Sequence, residues 1–344
     1  MSHSLVGDMR RTVFAPRLQA LLDAYIGQDV FRLEPDTVGV AGPVLTHRLL
    51  AARPASETER PTFKPLHGRS IARIDASRLM QAIGRDVREA LKVPAVQVDL
   101  SGSWPHVGHL YLRDLLLGGD PLRLRVLMDR VLELTPKLTW AVIAAGAALP
   151  LTLAPNASSL ARVTAAAGTY DERRYAMGLY RRTAAPVCFT ISTLVANAMW
   201  LGSPFSASDS NRNIIYEALR LLPPSWNILR NASPEYPALD HRIGAADDVL
   251  VLPLLSHRDP ALWDAPNVFR PARWDALDPD NHPGYFPFGH ASERCWGRHM
   301  VMPLAERLLE LLRSQGLTAA TTQRRADVPL TGLLGVADVT LVRA

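Results

Sequence analysis

The residue types with the greatest chemical capacity lie in one run, Phe286-Pro287-Phe288-Gly289-His290-Ala291-Ser292-Glu293-Arg294-Cys295-Trp296-Gly297-Arg298. It carries a lone cysteine after an aromatic anchor and a tight turn, opening a helix expected from near Trp296 to about Leu312. The free N–H groups and the dipole at such a helix start favour an anionic sulfur, so Cys295 is placed to ligate a metal as thiolate. Zinc and iron-sulfur centres need several Cys or His ligands, and Cys188, the only other cysteine, lies 107 residues away. A haem iron, which needs one protein thiolate, is the metal that fits.

Three further segments stand upstream in order. Glu217-Ala218-Leu219-Arg220 has a charge pair spaced for one helix face, and Pro223-Pro224-Ser225-Trp226-Asn227-Ile228-Leu229-Arg230 follows it. Then comes the run from His257-Arg258-Asp259-Pro260 to Phe269-Arg270-Pro271-Ala272-Arg273-Trp274. Together with the cysteine loop these segments resemble the cytochrome P-450 family over roughly residues 214 to 312. The resemblance implies a mainly α fold with a small β region, formed by residues 1–344 as a single haem domain. It also implies a haem b held by Cys295, with Phe288 against it. Glu217, Arg220 and Arg273 are expected as a buried, fold-fixing cluster.

Haem propionates are best matched by planar guanidinium groups. The resemblance points to Arg230 first. His109-Leu110-Tyr111-Leu112-Arg113 is similar to the family's His-x-x-x-Arg helix, which adds His109 and Arg113, with Trp104 beside them. Departures from the family pattern are informative. Glu293 stands where a propionate-binding cation is usual, leaving Arg294 or Arg298 to replace it, and Ala291 stands where glycine is preferred. On the distal helix Cys188-Phe189-Thr190-Ile191-Ser192-Thr193 places Ile191 where an acid is expected. Ser192 and Thr193 are then the hydroxyl candidates for proton delivery, unless they bond back to their own helix. Arg113 to Ser192 is only 79 residues, so the distal cover is expected to be short. The apolar stretch Leu138 to Leu153 is the surface this would leave exposed.

The elements that must position these residues are mostly helical. Apolar periodicity predicts helices over Leu79 to Leu91, Leu110 to Leu117, Leu122 to Leu134, Tyr170 to Tyr180 and Val187 to Leu201. Val30 to Leu33 and Thr37 to Val40 flank Glu34-Pro35-Asp36 as a hairpin, followed by a helix from Val44 to Ala52. The chain has 344 residues, 48% of them hydrophobic, enough for a large core. Its net charge of +5 is spread without a basic block, which argues against nucleic-acid binding. The N-terminus carries no secretion signal and the run Leu138 to Leu149 is short for a membrane span, so a cytoplasmic protein with no integral membrane segment is expected. The resemblance implies an oxidoreductase, a monooxygenase of secondary metabolism on a bulky natural-product-like or carrier-bound substrate. Its electrons would come from a ferredoxin-type donor, and a homodimer or biosynthetic partner protein would complete the short distal side. The alternatives are a redox-neutral or peroxide-driven enzyme, or an impaired homologue that stabilises another enzyme.

Overall fold

The computed structural model describes residues 17–52, 71–94, 98–290, 294–320 and 338–344. In chain order it begins α1 (Leu18–Tyr25), β1 (Val30–Glu34), β2 (Thr37–Val40), α2 (Pro43–Ala51), α3 (Arg73–Lys92), β3 (Gly102–Trp104) and α4 (His106–Leu117). Short pieces follow: α5 (Leu122–Arg125), a 3-10 turn, α6 (Arg130–Leu134), α7 (Pro136–Gly146) and α8 (Ser159–Ala165). Then α9 (Tyr170–Ala185) runs through a π-helical turn, Pro186–Thr190, into α10 (Ile191–Gly202). The remainder is α11 (Asn211–Leu221), β4 (Ile228–Arg230), α12 (Tyr236–Leu239), β5 (Asp248–Val251), α13 (Pro253–Ser256), α14 (Arg298–Ser314), β6 (Leu317–Ala319) and β7 (Val339–Arg343). The mainly helical class with small sheets is the expected one.

The fold divides into two compact units. One gathers the described residues within 1–56, 196–294 and 319–339, and the other those within 57–195, 295–318 and 340–344. In the first, β1 and β2 form the expected antiparallel hairpin, β2 pairs parallel with β5, and β5 pairs antiparallel with β4. Alternation puts Val38, Val40, Val249 and Val251 on one face against Leu45, Leu49 and Leu50 of α2, with Ile243 and Tyr236 completing that core. Arg230 is the last residue of β4 and pairs with Val249.

The second unit is built from helices tied by buried polar hubs. Asp120, 3% exposed, accepts from Tyr180 Oη at 2.7 Å and from the Ser158 N–H and hydroxyl at 2.7 and 2.8 Å. Ser158 in turn caps α8 by accepting from the Ala161 N–H at 2.9 Å. Asp86 on α3 accepts from the Ser159 and Leu160 N–H groups, joining α3 to the same helix start. Arg307 of α14 donates to the Val93 carbonyl just past α3, a cation at a helix C-terminus.

Two expectations about helices are corrected. Leu122 to Leu134 is three short turns, because Asp129 has extended backbone angles between Met128 and Arg130. Tyr170 to Tyr180 and Val187 to Leu201 are one 33-residue helical stretch, with Pro186 and the π turn between its halves. That stretch has the length and composition of a membrane span, yet 72% of its apolar window is buried within the fold. Between α4 and α9 only short elements intervene, and Leu122, Leu134 and Leu149 are 67%, 83% and 69% exposed. The stretch from Leu138 is mixed: Leu138 is 40% exposed, whereas Ile143 and Ala147 are buried.

Candidate functional site

Cys295 lies three residues before α14, which begins at Arg298, two residues later than expected. The cysteine is exposed. The backbone N–H groups of Gly297 and Arg298 bond to its sulfur, and the Arg298 charge also favours the anion. These are the donors the sequence places after a ligating sulfur, and they moderate its electron density. Desolvation by the surrounding protein is nevertheless larger and raises the thiol pKa. The dipole argument for a ready thiolate is therefore corrected: a cation at the sulfur is needed to make it one. An accessible sulfur aimed at by two N–H groups fits a single thiolate ligand to haem iron.

The chain enters this loop through Phe286, 4% exposed, and turns at Gly289. Gly289 has φ of 75°, a left-handed conformation that glycine adopts without strain, and its N–H donates to the Phe286 carbonyl at 3.0 Å. Phe288 is half-buried on that turn. Arg294 reaches Asp280 at 3.5 Å and is 40% exposed along its side chain. Ala291 and Glu293 lie outside the described residues.

The loop is supported by the expected charge cluster. α11 is capped by the Ser210 hydroxyl, which accepts from the Asn213 N–H, and buries Ile214, Ile215, Ala218 and Leu219. Glu217 and Arg220 therefore point inward, both 0% exposed. Arg220 donates to both Glu217 oxygens, at 3.0 and 2.8 Å, and Arg273 Nε donates at 3.0 Å. Trp274 Nε1 and the Arg270 N–H add bonds at 3.0 Å each. The surplus positive charge is met by carbonyls of His257, Pro266 and Val268 for Arg220, and of Asp264, Ala265 and Val268 for Arg273.

On the long helix, Ile191 is 2% exposed, and the Ser192 hydroxyl donates back to the Cys188 and Phe189 carbonyls at 2.7 and 3.0 Å. Ser192 is thus engaged within its own helix, which leaves Thr193, 7% exposed, as the second hydroxyl candidate. Cys188 is fully buried and its pKa is pushed up to about 12 by desolvation, so it is an inert apolar filler.

The cations expected at the propionates divide. Arg230 is 7% exposed at the end of β4. Arg113 is held by Asp114 at 2.8 Å and Asp129 at 3.8 Å. His109 bonds the Met128 carbonyl through Nε2 at 2.8 Å and stacks on Phe189 at 3.8 Å, while its buried Nδ1 has no hydrogen-bond partner. A ring donating from Nε2 has no second N–H for an anion. Trp104 Nε1 likewise donates to the Leu100 carbonyl at 2.9 Å. The spacing of four puts His109 and Arg113 on one face, but that face is already partnered inside its own unit.

Burial, with Arg113 nearby, lowers the His109 pKa from 6.5 to about 4. A depressed histidine pKa stabilises the fold fully above 6.5 and loses that contribution as pH falls toward 4. Unfolding near pH 5 should then take up about one proton at this site. His109→Phe is expected to lower the slope of unfolding free energy against pH by about 1.4 kcal/mol per pH unit there. Denaturant melts at stepped pH check it, and an unchanged slope would show that His109 titrates normally.

Sequence reasoning missed His257 and Arg258. Both are buried between α11 and the cysteine loop's entry, and Arg258 donates twice to the Leu221 carbonyl at the end of α11. The available signal was their position in His257-Arg258-Asp259-Pro260, read only as part of a longer segment.

Comparison with known proteins bears on the same region. Residues 211–312 match the family model for Cytochrome P450. Cyclooctatin synthase of Streptomyces melanosporofaciens is 38% identical over 88 residues, 25% of this chain and 19% of that protein. Cyclooctat-9-en-7-ol 5-monooxygenase of the same organism is 32% identical over 124 residues, 36% of this chain and 26% of that protein. The matched stretch thus spans about a fifth to a quarter of these relatives. Among solved structures, a mutant of P450 EryK in complex with erythromycin B superposes with a TM-score of 0.58 at 19% identity, covering 98% of this chain and 95% of that one. CYP175A1 from Thermus thermophillus gives 0.60 at 16% identity, covering 98% and 97%. At such identities the likeness is one of fold.

Proposed function

From the premise that this chain belongs to the cytochrome P450 family, we propose that it is a haem-thiolate monooxygenase acting on a bulky natural-product-type or carrier-bound substrate in the cytoplasm. The observation that carries this reading is Cys295: an accessible sulfur receiving two backbone N–H bonds, at the end of a loop rooted on a buried Glu217–Arg220–Arg273 cluster. The substrate class is supported by relatives named for cyclooctatin chemistry.

In this reading Cys295 holds haem b, and buried Arg230 meets a propionate. Once bound, a haem with a thiolate ligand supplies oxygen activation, because the sulfur's electron density favours O–O cleavage. The chain's own share is to hold that sulfur: the Gly297 and Arg298 N–H groups fix its lone pairs and limit its basicity. Arg294 and Arg298 are the cations offered to an acidic ferredoxin-type donor. The deciding experiment is the spectrum of the reduced carbonyl complex of the purified protein. A thiolate-type band at one haem b per chain supports the reading, and protein without haem points instead to a stabilising partner role.

A second reading has its own observation. Ile191 is buried where an acid is expected, and the neighbouring Ser192 hydroxyl is bonded to its own helix. Proton delivery by an acid-alcohol pair is then weak, which favours peroxide-driven or redox-neutral chemistry at the same cofactor. The expected outcome with a ferredoxin and its reductase is poor coupling, most of the reducing power emerging as hydrogen peroxide. Tight coupling of electron consumption to product would mean that Thr193, water or substrate supplies the protons.

A further inference from the structure

His257 is 0% exposed, and its side chain makes one connection that no other described side chain makes: Nε2 accepts the Phe286 backbone N–H at 3.1 Å. Phe286 is itself buried, so without that acceptor its N–H would be an unpaired buried donor. The histidine backbone is tied to the charge cluster, because Arg220 Nη1 donates to the His257 carbonyl at 2.8 Å and the His257 N–H donates to Pro253 at 2.9 Å. The ring packs on Tyr285 at 5.3 Å and edge-on to Phe286 at 5.5 Å. Tyr285 Oη in turn donates to the Tyr216 carbonyl on α11. Burial and the Arg220 charge lower the ring's pKa to about 3, which keeps Nε2 a lone-pair acceptor. A hydrogen-bonded path thus runs from Glu217 through Arg220 and His257 to Phe286. The loop departs from Phe286, nine residues before Cys295, and turns at Gly289.

We infer that His257 is a positioning residue for the cysteine loop: by holding the Phe286 amide it fixes where the chain leaves the α11 core, so that the buried charge cluster governs the turn that presents Cys295. This rests on reading Cys295 as the haem ligand. Any destabilised variant loses stability, but this role predicts a specific local loosening and a change at the sulfur.

The test compares His257→Leu, which removes the acceptor, with His257→Gln, whose amide oxygen reaches the same place, and with Ile243→Ala as a destabilising control in the sheet core. Amide hydrogen exchange of peptides covering residues 284–290 is read without regard to haem, and the reduced carbonyl spectrum is read on the loaded protein. His257→Leu is expected to speed exchange there about tenfold or more and to move much of the carbonyl signal from the thiolate to the neutral-thiol form. His257→Gln should restore most of both, and Ile243→Ala at a similar melting temperature should leave the thiolate share intact. The inference is overturned by unchanged exchange and spectrum in His257→Leu, by a Gln variant no better than Leu, or by equal loss in the control. If His257→Leu does not fold, His257→Asn, too short to reach Phe286, is measured against His257→Gln and must show the same loosening. Wild-type protein without a thiolate band would instead refute the function, while the exchange comparison would still decide the contact.

Discussion

Glu217→Ala is expected to leave Arg220 and Arg273 as buried cations without a counter-charge and to cost about 3 to 5 kcal/mol. Glu217 accepts five hydrogen bonds, four from side chains and one from the Arg270 backbone, and both it and Arg220 are 0% exposed. The carbonyls around the guanidinium groups supply dipoles but no charge, so water cannot replace what is removed. Since whole domains are stable by only about 5 to 15 kcal/mol, a loss of this size leaves little margin. The expected phenotype is low soluble yield, a much lower melting temperature and little bound haem. Glu217→Gln should be nearly as damaging, because an amide nitrogen would face guanidinium donors. A soluble Glu217→Ala protein with native melting temperature would show that the cluster does not stabilise the fold.

The second large effect is all-or-none. Cys295→Ala is expected to abolish the thiolate-type carbonyl band, whereas Cys188→Ala should leave it unchanged, because Cys188 is wholly buried with its pKa near 12. The same contrast is readable in haem-free protein: an alkylating reagent should modify Cys295, which is exposed, and spare Cys188. Because desolvation raises the Cys295 pKa, that alkylation should be slow at neutral pH and quicken as pH rises. A thiolate band that survives in Cys295→Ala would falsify the ligand assignment.

The elements between Asn211 and Leu312 were legible because short-range chemistry dictates them. Glu217 and Arg220 are three apart on a capped amphipathic helix, Gly289 marks a left-handed turn, and Cys295 precedes a strong apolar repeat. Arg273 could be joined to Glu217 only through the resemblance, since 56 residues separate them. His109 and Arg113 show the limit of spacing arguments. Two cations at i and i+4 read alike whether they face a ligand or the protein, and here Met128 and Asp129, from a later turn, occupy them. The role of His257 was invisible for a related reason: a neutral histidine that accepts a backbone N–H has no sequence signature. The continuity of α9 and α10 was obscured by Pro186, which ordinarily ends a helix.

That proline sits at the first position of the π-helical turn Pro186–Thr190, where each N–H reaches one residue further back than in an α-helix. Such a turn contains one residue more than the helix on either side requires. Deleting any one residue from it would let the backbone wind as continuous α-helix, so local structure would tolerate the loss. Yet residues 191–195 would be turned by about 100° relative to α9. Ile191, Ser192, Leu194 and Val195 are each at most 2% exposed, so every one would meet a different neighbour, and the hydroxyls would be exchanged around the helix. The direction in which Ser192 and Thr193 present their oxygens is therefore a matter of counting as much as of residue type. Changes of length, which substitution series never sample, are the mutations to which this segment is most sensitive.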